Sequence, residues 1–428
     1  MASTITDIPV RIISVFEWGL QPLTAATAGG YLESHAIPVS VDDVFVDAFH
    51  AARYEDAWLV AIAVPVYDAI TGAITIARDI KALNPRAHLV FFGQYATVQY
   101  RELVPKYGDS AICGDWEEPL RQLAERLAAG VPLDGIPGLF VGTVAPIKYW
   151  ARDQILPPAR HLLPELRRYN MTDTPNGSVL QSTVSGNVEV TRGCHHDCSY
   201  CSVFAAYGRK VIVIPKESIL QDIRTLVESG ANHIVFVDAD FLSAWKYSRS
   251  VVEAMCREFP QLTFEYTTRV DHMLEHPDVV AEFHDLGCTR VTSAFEFPKD
   301  EVLALLRKNC TVEDLEQTVR YCHNIGQALN PTFILFNPWV NPDDLLGFDE
   351  FIARNHLEHV VEPIQYETRL MLYKGTPLLR EPSIQALQLQ ENEFHIDWEH
   401  PDPLMDELYQ SRVTPAEPGV FKRCCLKC

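Results

Sequence analysis

Cys194, Cys198 and Cys201 stand in the run Thr191-Arg-Gly-Cys-His-His-Asp-Cys-Ser-Tyr-Cys201. Three thiols at C-x3-C-x2-C spacing on one short loop can ligate three irons of a four-iron, four-sulfur cluster. Clusters of that kind ordinarily take four Cys ligands. A loop with only three leaves the fourth iron open to a substrate or cofactor, which points to chemistry at iron rather than simple electron storage. Zinc would want a fourth Cys or His at short spacing, and His195 and His196 adjoin Cys194 too closely to complete a tetrahedron easily. The other alternative is three unrelated buried thiols.

A second thiol group closes the chain, in Lys422-Arg-Cys424-Cys425-Leu-Lys-Cys428. Soft thiolates select soft ions, and three of them can hold one thiophilic centre in a pyramid. Cys424 and Cys428 lie one turn apart on a helix; a loop would gather all three thiols better. Lys422, Arg423 and Lys427 would lower the thiol pKa values and favour thiolates. Two other readings stay open. The tail could ligate an auxiliary iron–sulfur cluster, or it could be a frayed terminus with no role. The remaining cysteines, Cys113, Cys256, Cys288, Cys310 and Cys322, are scattered and read as small core hydrophobes.

These groups need elements to position them. Up to about residue 145, the apolar runs 11–16, 58–66 and 88–92 read as strands and 67–83 and 116–129 as helices. Short apolar strands alternating with helices imply a parallel sheet covered on both faces. Residues 146–185, with Pro157-Pro158, Pro164 and Asn176-Gly177, read as a linker. A second α/β series begins near 186. Its strands are expected at 187–191, 233–237, 263–267, 290–295, 331–336 and 367–372, and its helices at 216–229, 248–259, 277–286, 299–306 and 312–325. Six β/α units make a partial barrel rather than a closed eightfold one. The fold class is therefore α/β, a Rossmann-like first domain (1–145) and a partial (β/α)6 TIM-type barrel (186–380), followed by a Cys-rich C-terminal extension (381–428).

Composition narrows the partners. The 428 residues are 47% hydrophobic and carry a net charge of −21, which argues against nucleic acid or an anionic membrane, since both need clustered Lys and Arg. The start of the chain lacks a secretory pattern and no apolar run reaches a membrane span. Eleven Cys in such a chain indicate the reducing cytoplasm.

The cluster loop, with Tyr200 before its last Cys, has the signature of the radical S-adenosylmethionine (SAM) enzymes. Most of the chain resembles those members that carry an N-terminal cobalamin-binding-type domain. The resemblance rests on Asp109-Ser-Ala-Ile-Cys-Gly-Asp-Trp-Glu117 at the end of that domain and on Leu156-Pro-Pro-Ala-Arg-His-Leu-Leu-Pro164 in its linker. It continues in Phe236-Val-Asp-Ala-Asp-Phe241, Ser293-Ala-Phe-Glu296 with 302–308, and Lys374-Gly-Thr-Pro377. It implies a 4Fe-4S cluster on Cys194, Cys198 and Cys201, SAM at the open iron, and an external electron donor such as a flavodoxin or ferredoxin. Tyr200, Asp238, Asp240, Arg269 and Glu296 are the expected SAM contacts, with Glu296 for the ribose and Arg269 for the SAM carboxylate. Helix capping for the two Asp and a structural ion pair for Arg269 are the competing readings.

Two departures from the family pattern matter. The cobalamin-ligating D-x-H-x-x-G is absent: Asp47-Ala-Phe-His50 has the wrong spacing and no following Gly. Cobalamin is therefore not expected, and the first domain reads as a retained scaffold. The tail Arg423-Cys-Cys-Leu-Lys-Cys428 is similar to the C-terminal motif of the radical SAM enzymes of arsinothricin biosynthesis. That resemblance implies transfer of the 3-amino-3-carboxypropyl group of SAM to trivalent arsenic, supplied as arsenite and held by Cys424, Cys425 and Cys428. A cobalamin-dependent radical SAM methyltransferase and a non-catalytic thiol-rich metalloid-binding protein are the alternatives.

Overall fold

The computed structural model describes residues 9–143, 147, 155–169 and 183–413. The chain forms two compact units. The first takes 1–188 and 212–232, and the second takes 189–211 and 233–428.

In chain order the first unit begins with β1 (Val10–Ser14), α1 (Leu23–Ser34), β2 (Val39–Asp43), β3 (Leu59–Ala63), α2 (Ala69–Leu83) and β4 (His88–Phe92). It continues with α3 (Gln94–Leu103), β5 (Ser110–Ile112), α4 (Glu117–Ala129), β6 (Leu139–Phe140) and β7 (Ser185–Val188). Its main sheet has the order β2-β1-β3-β4-β5-β6, parallel except for β6. Every residue of β3 is buried, as expected for a central parallel strand covered on both faces. The core gathers Ile12, Leu59, Ala61, Val90, Phe92, Ile112 and Leu120. The linker contributes a fixed point. Arg160 is buried and donates to both carboxylate oxygens of Asp222 at 2.9 Å, to Gln21 Oε1 at 3.2 Å and to Asn187 Oδ1 at 3.1 Å.

The second unit opens with β8 (Thr191–Gly193) and α5 (Ser202–Tyr207). After β9 (Val211–Val213) and α6 (Lys216–Glu228), it resumes with β10 (His233–Phe236), α7 (Trp245–Glu258), β11 (Thr263–Thr267), α8 (Val270–Glu275) and α9 (Pro277–Asp285). Next come β12 (Cys288–Glu296), α10 (Asp300–Leu305), α11 (Val312–Ile325), β13 (Leu329–Phe333) and α12 (Pro342–Arg354). Strands β10, β11, β12 and β13 pair in parallel, each with the next. The strand expected at 367–372 is reduced. Pro363–Glu367 is a 3-10 turn, and only a parallel bridge between Phe336 and Arg369 extends the arc.

The last described segment has β14 (Leu372–Tyr373), α13 (Pro382–Gln385), β15 (Leu389–Glu391), β16 (His395–Trp398) and α14 (Pro403–Arg412). Its strands form an antiparallel sheet of order β14-β16-β15, which the sequence reading did not anticipate. Its apolar face (Leu370, Leu372, Leu378, Ile384, Trp398) packs with Ile334 and against Tyr200. Residues 372–398 therefore belong to the wall of the cluster loop. Among the described residues, no helix is long and apolar enough to cross a membrane.

Candidate active site

The C-terminal ends of parallel strands are where α/β folds of this kind hold their ligands. The second unit gathers its reactive residues there. The cluster loop follows β8, Asp238 and Asp240 follow β10, Arg269 follows β11, and Glu296 closes β12. Gly193 sets the approach to the loop. Its φ is +88°, and a Cβ there would collide with the Lys210 carbonyl and press on Tyr207, so only glycine fits.

Cys194, Cys198 and Cys201 all carry free thiols on this one loop. Burial pushes the Cys194 thiol up to about 12 and the Cys201 thiol up to about 11. A buried thiol is held protonated until a cation replaces the proton. The matching cation chemistry is close by. Arg269 Nη1 lies 3.0 Å from Cys198 Sγ, while its Nε and Nη2 each donate to Asp271 at 2.8 Å and Nη2 also donates to the Lys308 carbonyl. The loop is further tied by Ser199, whose hydroxyl donates to Leu305 O at 2.8 Å and whose carbonyl accepts from Leu378 N at 2.8 Å. Three soft donors on a pinned loop, with a guanidinium beside one of them, fit a 4Fe-4S cluster with three protein ligands.

The expected SAM contacts fall into two groups. Glu296 is 3% exposed at the end of β12, in a left-handed backbone conformation (φ +60°). Its Oε1 accepts from Tyr200 OH and from Lys308 Nζ, the latter at 2.8 Å. Burial, then the Glu296 carboxylate, raises the Tyr200 phenol well above its ordinary value. Burial opposes the charge on Lys308, but Glu296 outweighs it and the ammonium is held protonated. Tyr200 and Glu296 are thus brought together, and Lys308 joins them without having been singled out in the sequence.

The two Asp residues are engaged by neighbouring groups of the protein. Asp238 accepts from Val190 N at 3.0 Å, Thr191 N at 2.6 Å and Thr191 Oγ1 at 2.7 Å, which fixes the entry to the cluster loop. Asp240 accepts from Thr268 Oγ1 at 2.7 Å and reaches His272 Nδ1 at 2.9 Å and His196 Nε2 at 3.3 Å. Burial alone would raise its carboxyl; His196 and His272 instead hold it far below the usual carboxylate range. Arg269 makes an ion pair with Asp271, the alternative to its expected SAM contact, and a contact to a cluster thiol. The histidines around Asp240 had no place in the sequence reading. Cys424, Cys425 and Cys428 lie outside the described residues.

A model of the Radical SAM superfamily matches residues 188–352, the segment holding the cluster loop and the four strand ends just described. This segment is a radical SAM domain. The chain is 26% identical over 273 residues to the hopanoid C-3 methylase of Methylococcus capsulatus, covering 62% of this chain and 50% of that protein. It is 22% identical over 217 residues to the bacteriochlorophyllide d C-12(1)-methyltransferase of Chlorobaculum tepidum, covering 50% and 44%. The chain spans about half the length of these curated relatives.

Two solved radical SAM enzymes share the fold along nearly the whole chain. The methyltransferase TsrM of Kitasatospora setae superposes with a TM-score of 0.74 at 17% identity, covering 96% of this chain and 92% of that one. The enzyme OxsB superposes with a TM-score of 0.73 at 13% identity, covering 95% and 66%. Both have been solved with cobalamin bound.

The segments after β1 (15–22), β3 (64–68), β4 (93) and β5 (113–116) contain no histidine. His50, in the connection after β2, is exposed. At the same strand ends, Glu17 accepts from Thr24 N at 3.2 Å at the start of α1, and the Trp116 indole donates to Thr27 Oγ1 at 3.1 Å. These residues do not supply an imidazole ligand for cobalt.

Proposed function

We propose that this protein transfers the 3-amino-3-carboxypropyl group of SAM to trivalent arsenic held by Cys424, Cys425 and Cys428, giving the hydroxyarsinothricin precursor of arsinothricin. The observation that carries the reading is the pairing of a three-thiol cluster loop with a second three-thiol group on one chain. The described fold supports a meeting of the two. Helix α14, the last element before the tail, is anchored beside the strand ends of the radical SAM domain. Arg369 pairs with Asp406 at 2.6 Å and stacks on Trp398 and Tyr409, and Tyr409 packs on Phe336 just beyond β13. Cys424 comes twelve positions after Arg412, which allows a reach of up to about 40 Å at full extension.

When bound, the cluster supplies the electron that opens a carbon–sulfur bond of SAM. The protein's part is to hold the reactants and exclude water. Glu296 is assigned to the SAM ribose through Oε2, since Oε1 already takes Tyr200 and Lys308. Arg269 steadies the thiolate of Cys198, and Asp238 and Asp240 hold the loop and its surroundings. The tail cysteines deliver the arsenic.

The test is anaerobic reconstitution with SAM, a low-potential reductant and arsenite, followed by identification of the SAM fragments. Methylthioadenosine with an arsenic-bearing amino acid is expected; 5′-deoxyadenosine as the main product would contradict the proposal. Removing residues 424–428 should leave the cluster and SAM binding nearly intact and abolish the carbon–arsenic product. A second reading, a cobalamin-dependent methyltransferase, is favoured by the likeness to TsrM over 96% of the chain. It would require cobalamin held without a histidine ligand. Stoichiometric pigment after purification with hydroxocobalamin, together with methyl transfer, would decide for it.

A further inference from the structure

His195, His196 and His272 each present a ring nitrogen, and the three nitrogens lie within 4.8 Å of one another. Asp240 is not one of that group of three, but its carboxylate meets two of its members. Its Oδ2 is 2.9 Å from His272 Nδ1 and 3.3 Å from His196 Nε2. These separations bring the donors close without good hydrogen-bond angles. His196 Nε2, His272 Nδ1 and Asp240 Oδ2 are all buried and make no well-aligned hydrogen bond. All three face one another in poorly aligned contacts, and a cation between them would satisfy them together.

We propose that His195, His196, His272 and Asp240 bind a divalent d-block cation of the zinc class, at a site separate from the three cluster thiols. Tetrahedral Zn with N and O ligands at about 2.0–2.1 Å places neighbouring donors about 3.3 Å apart. The Asp240–His196 distance matches this value, the Asp240–His272 distance needs a few tenths of an ångström, and the histidine nitrogens, within 4.8 Å of one another, would close in around the ion. The surroundings are those of a metal site. Ligating groups are usually oriented by a second hydrogen bond. Asp240 Oδ1 is held by Thr268 Oγ1 at 2.7 Å, which turns Oδ2 toward the histidines. His195 Nδ1 is 2.6 Å from Ser243 Oγ, which fixes its ring and leaves Nε2 as the ligand atom. The donor set is borderline-hard nitrogen and oxygen, suited to zinc and its neighbours. It differs in kind from the thiolates of the cluster loop. The competing occupant is a proton on His272, paired with Asp240.

The proposal does not depend on the arsenic reading, and its test reads metal rather than turnover. The full chain is reconstituted with its cluster in a Cys424→Ser, Cys425→Ser, Cys428→Ser background, since the tail thiols would bind zinc themselves. It is then equilibrated with buffered Zn2+ in the nanomolar range. One zinc per chain is expected at full cluster iron. Its X-ray absorption should show only N/O neighbours at about 2.0 Å, and no sulfur at about 2.3 Å. His272→Ala and, independently, the less buried His195→Ala should each weaken binding at least tenfold while retaining the iron chromophore. No zinc in the background protein, a sulfur shell, or unchanged affinity in both variants would overturn the site and leave the protonated His272–Asp240 pair as the reading.

Discussion

Replacing Lys308 by Met removes one half of a buried ion pair whose other half cannot move away. Lys308 Nζ is 2.8 Å from Glu296 Oε1, and the two side chains are 5% and 3% exposed. At that distance and an effective dielectric near 20, the gross attraction is about 6 kcal/mol. Relaxation and water entry recover part of it, so the net loss on stranding the carboxylate is about 3–5 kcal/mol. Tyr200 remains as a single donor to Oε1 and does not replace a full charge. For a unit of this size, that loss lowers Tm by roughly 6–20 °C. Anaerobic calorimetry and denaturant unfolding of the reconstituted protein would read it. The double variant Lys308→Met, Glu296→Gln keeps the acceptor for Tyr200 without the buried charge and should regain most of the loss, giving a coupling energy of about 2–3 kcal/mol. A loss of less than about 1 kcal/mol in the single variant, or a double variant no more stable than the single, would refute the buried ion pair as a source of stability.

Four further outcomes are expected. Changing Cys194, Cys198 or Cys201 singly to Ala should abolish the brown chromophore and all SAM cleavage; full iron content with turnover would remove the cluster assignment. Arg269→Lys gives up the two-pronged contact to Asp271 and the donor beside Cys198 Sγ. It should shift the cluster potential negative, by tens of millivolts in a potentiometric titration, because hydrogen bonds to the sulfurs raise it. Asp238→Asn leaves one acceptor for the donors on Val190 and Thr191. It should cost about 1–3 kcal/mol and lower cluster retention, while SAM cleavage per cluster stays constant. Asp43, buried and bonded to Tyr169 at 2.6 Å, has its carboxyl pushed up to about 6 by burial. A carboxyl raised on folding stabilises most below its unfolded value near 4 and loses that contribution as pH rises through about 6. Asp43→Asn should therefore flatten the fall in stability of the first unit between about pH 4 and 6, measured as the difference between variant and parent.

Much of the scaffold was legible because local signals and tertiary demands agree. Residues 88–92, 263–267 and 312–325 fold with the expected bounds. The last of these has a capping box at Thr311 and Asp314 and a left-handed Gly326 at its end. Helix α1 was missed because it is apolar nearly all round and carries Gly29 and Gly30; burial rather than periodicity holds it. Helix α8, only six residues long, left no pattern to read, yet it places His272. Lys308 ends the run 302–308, whose spacing assigns it no partner. Only the return of the chain after β12 buries it against Glu296, twelve positions earlier. The histidine cluster likewise joins positions 195–196 and 272 through tertiary folding, which no local spacing could reveal.

The same comparison shows how the acidic residues at the strand ends should be understood. Their positions after β10 and β12 were readable, and so was the inference that acids at such ends bind ligands. In the fold, Asp238 is spent on two backbone N–H groups before the cluster loop, Asp240 on Thr268 and the histidines, and one oxygen of Glu296 on Tyr200 and Lys308. A loop that must present three thiols to one cluster needs this support, because rigid surroundings cut the entropy lost when the ligands converge. The consequence bears on function. On the proposed function, these acids position the site and the choice of acceptor lies with groups outside this network. On that reading the tail thiols are such a group. A change there should redirect the product without loosening the cluster, whereas a change at Asp238 should loosen the cluster without redirecting the product.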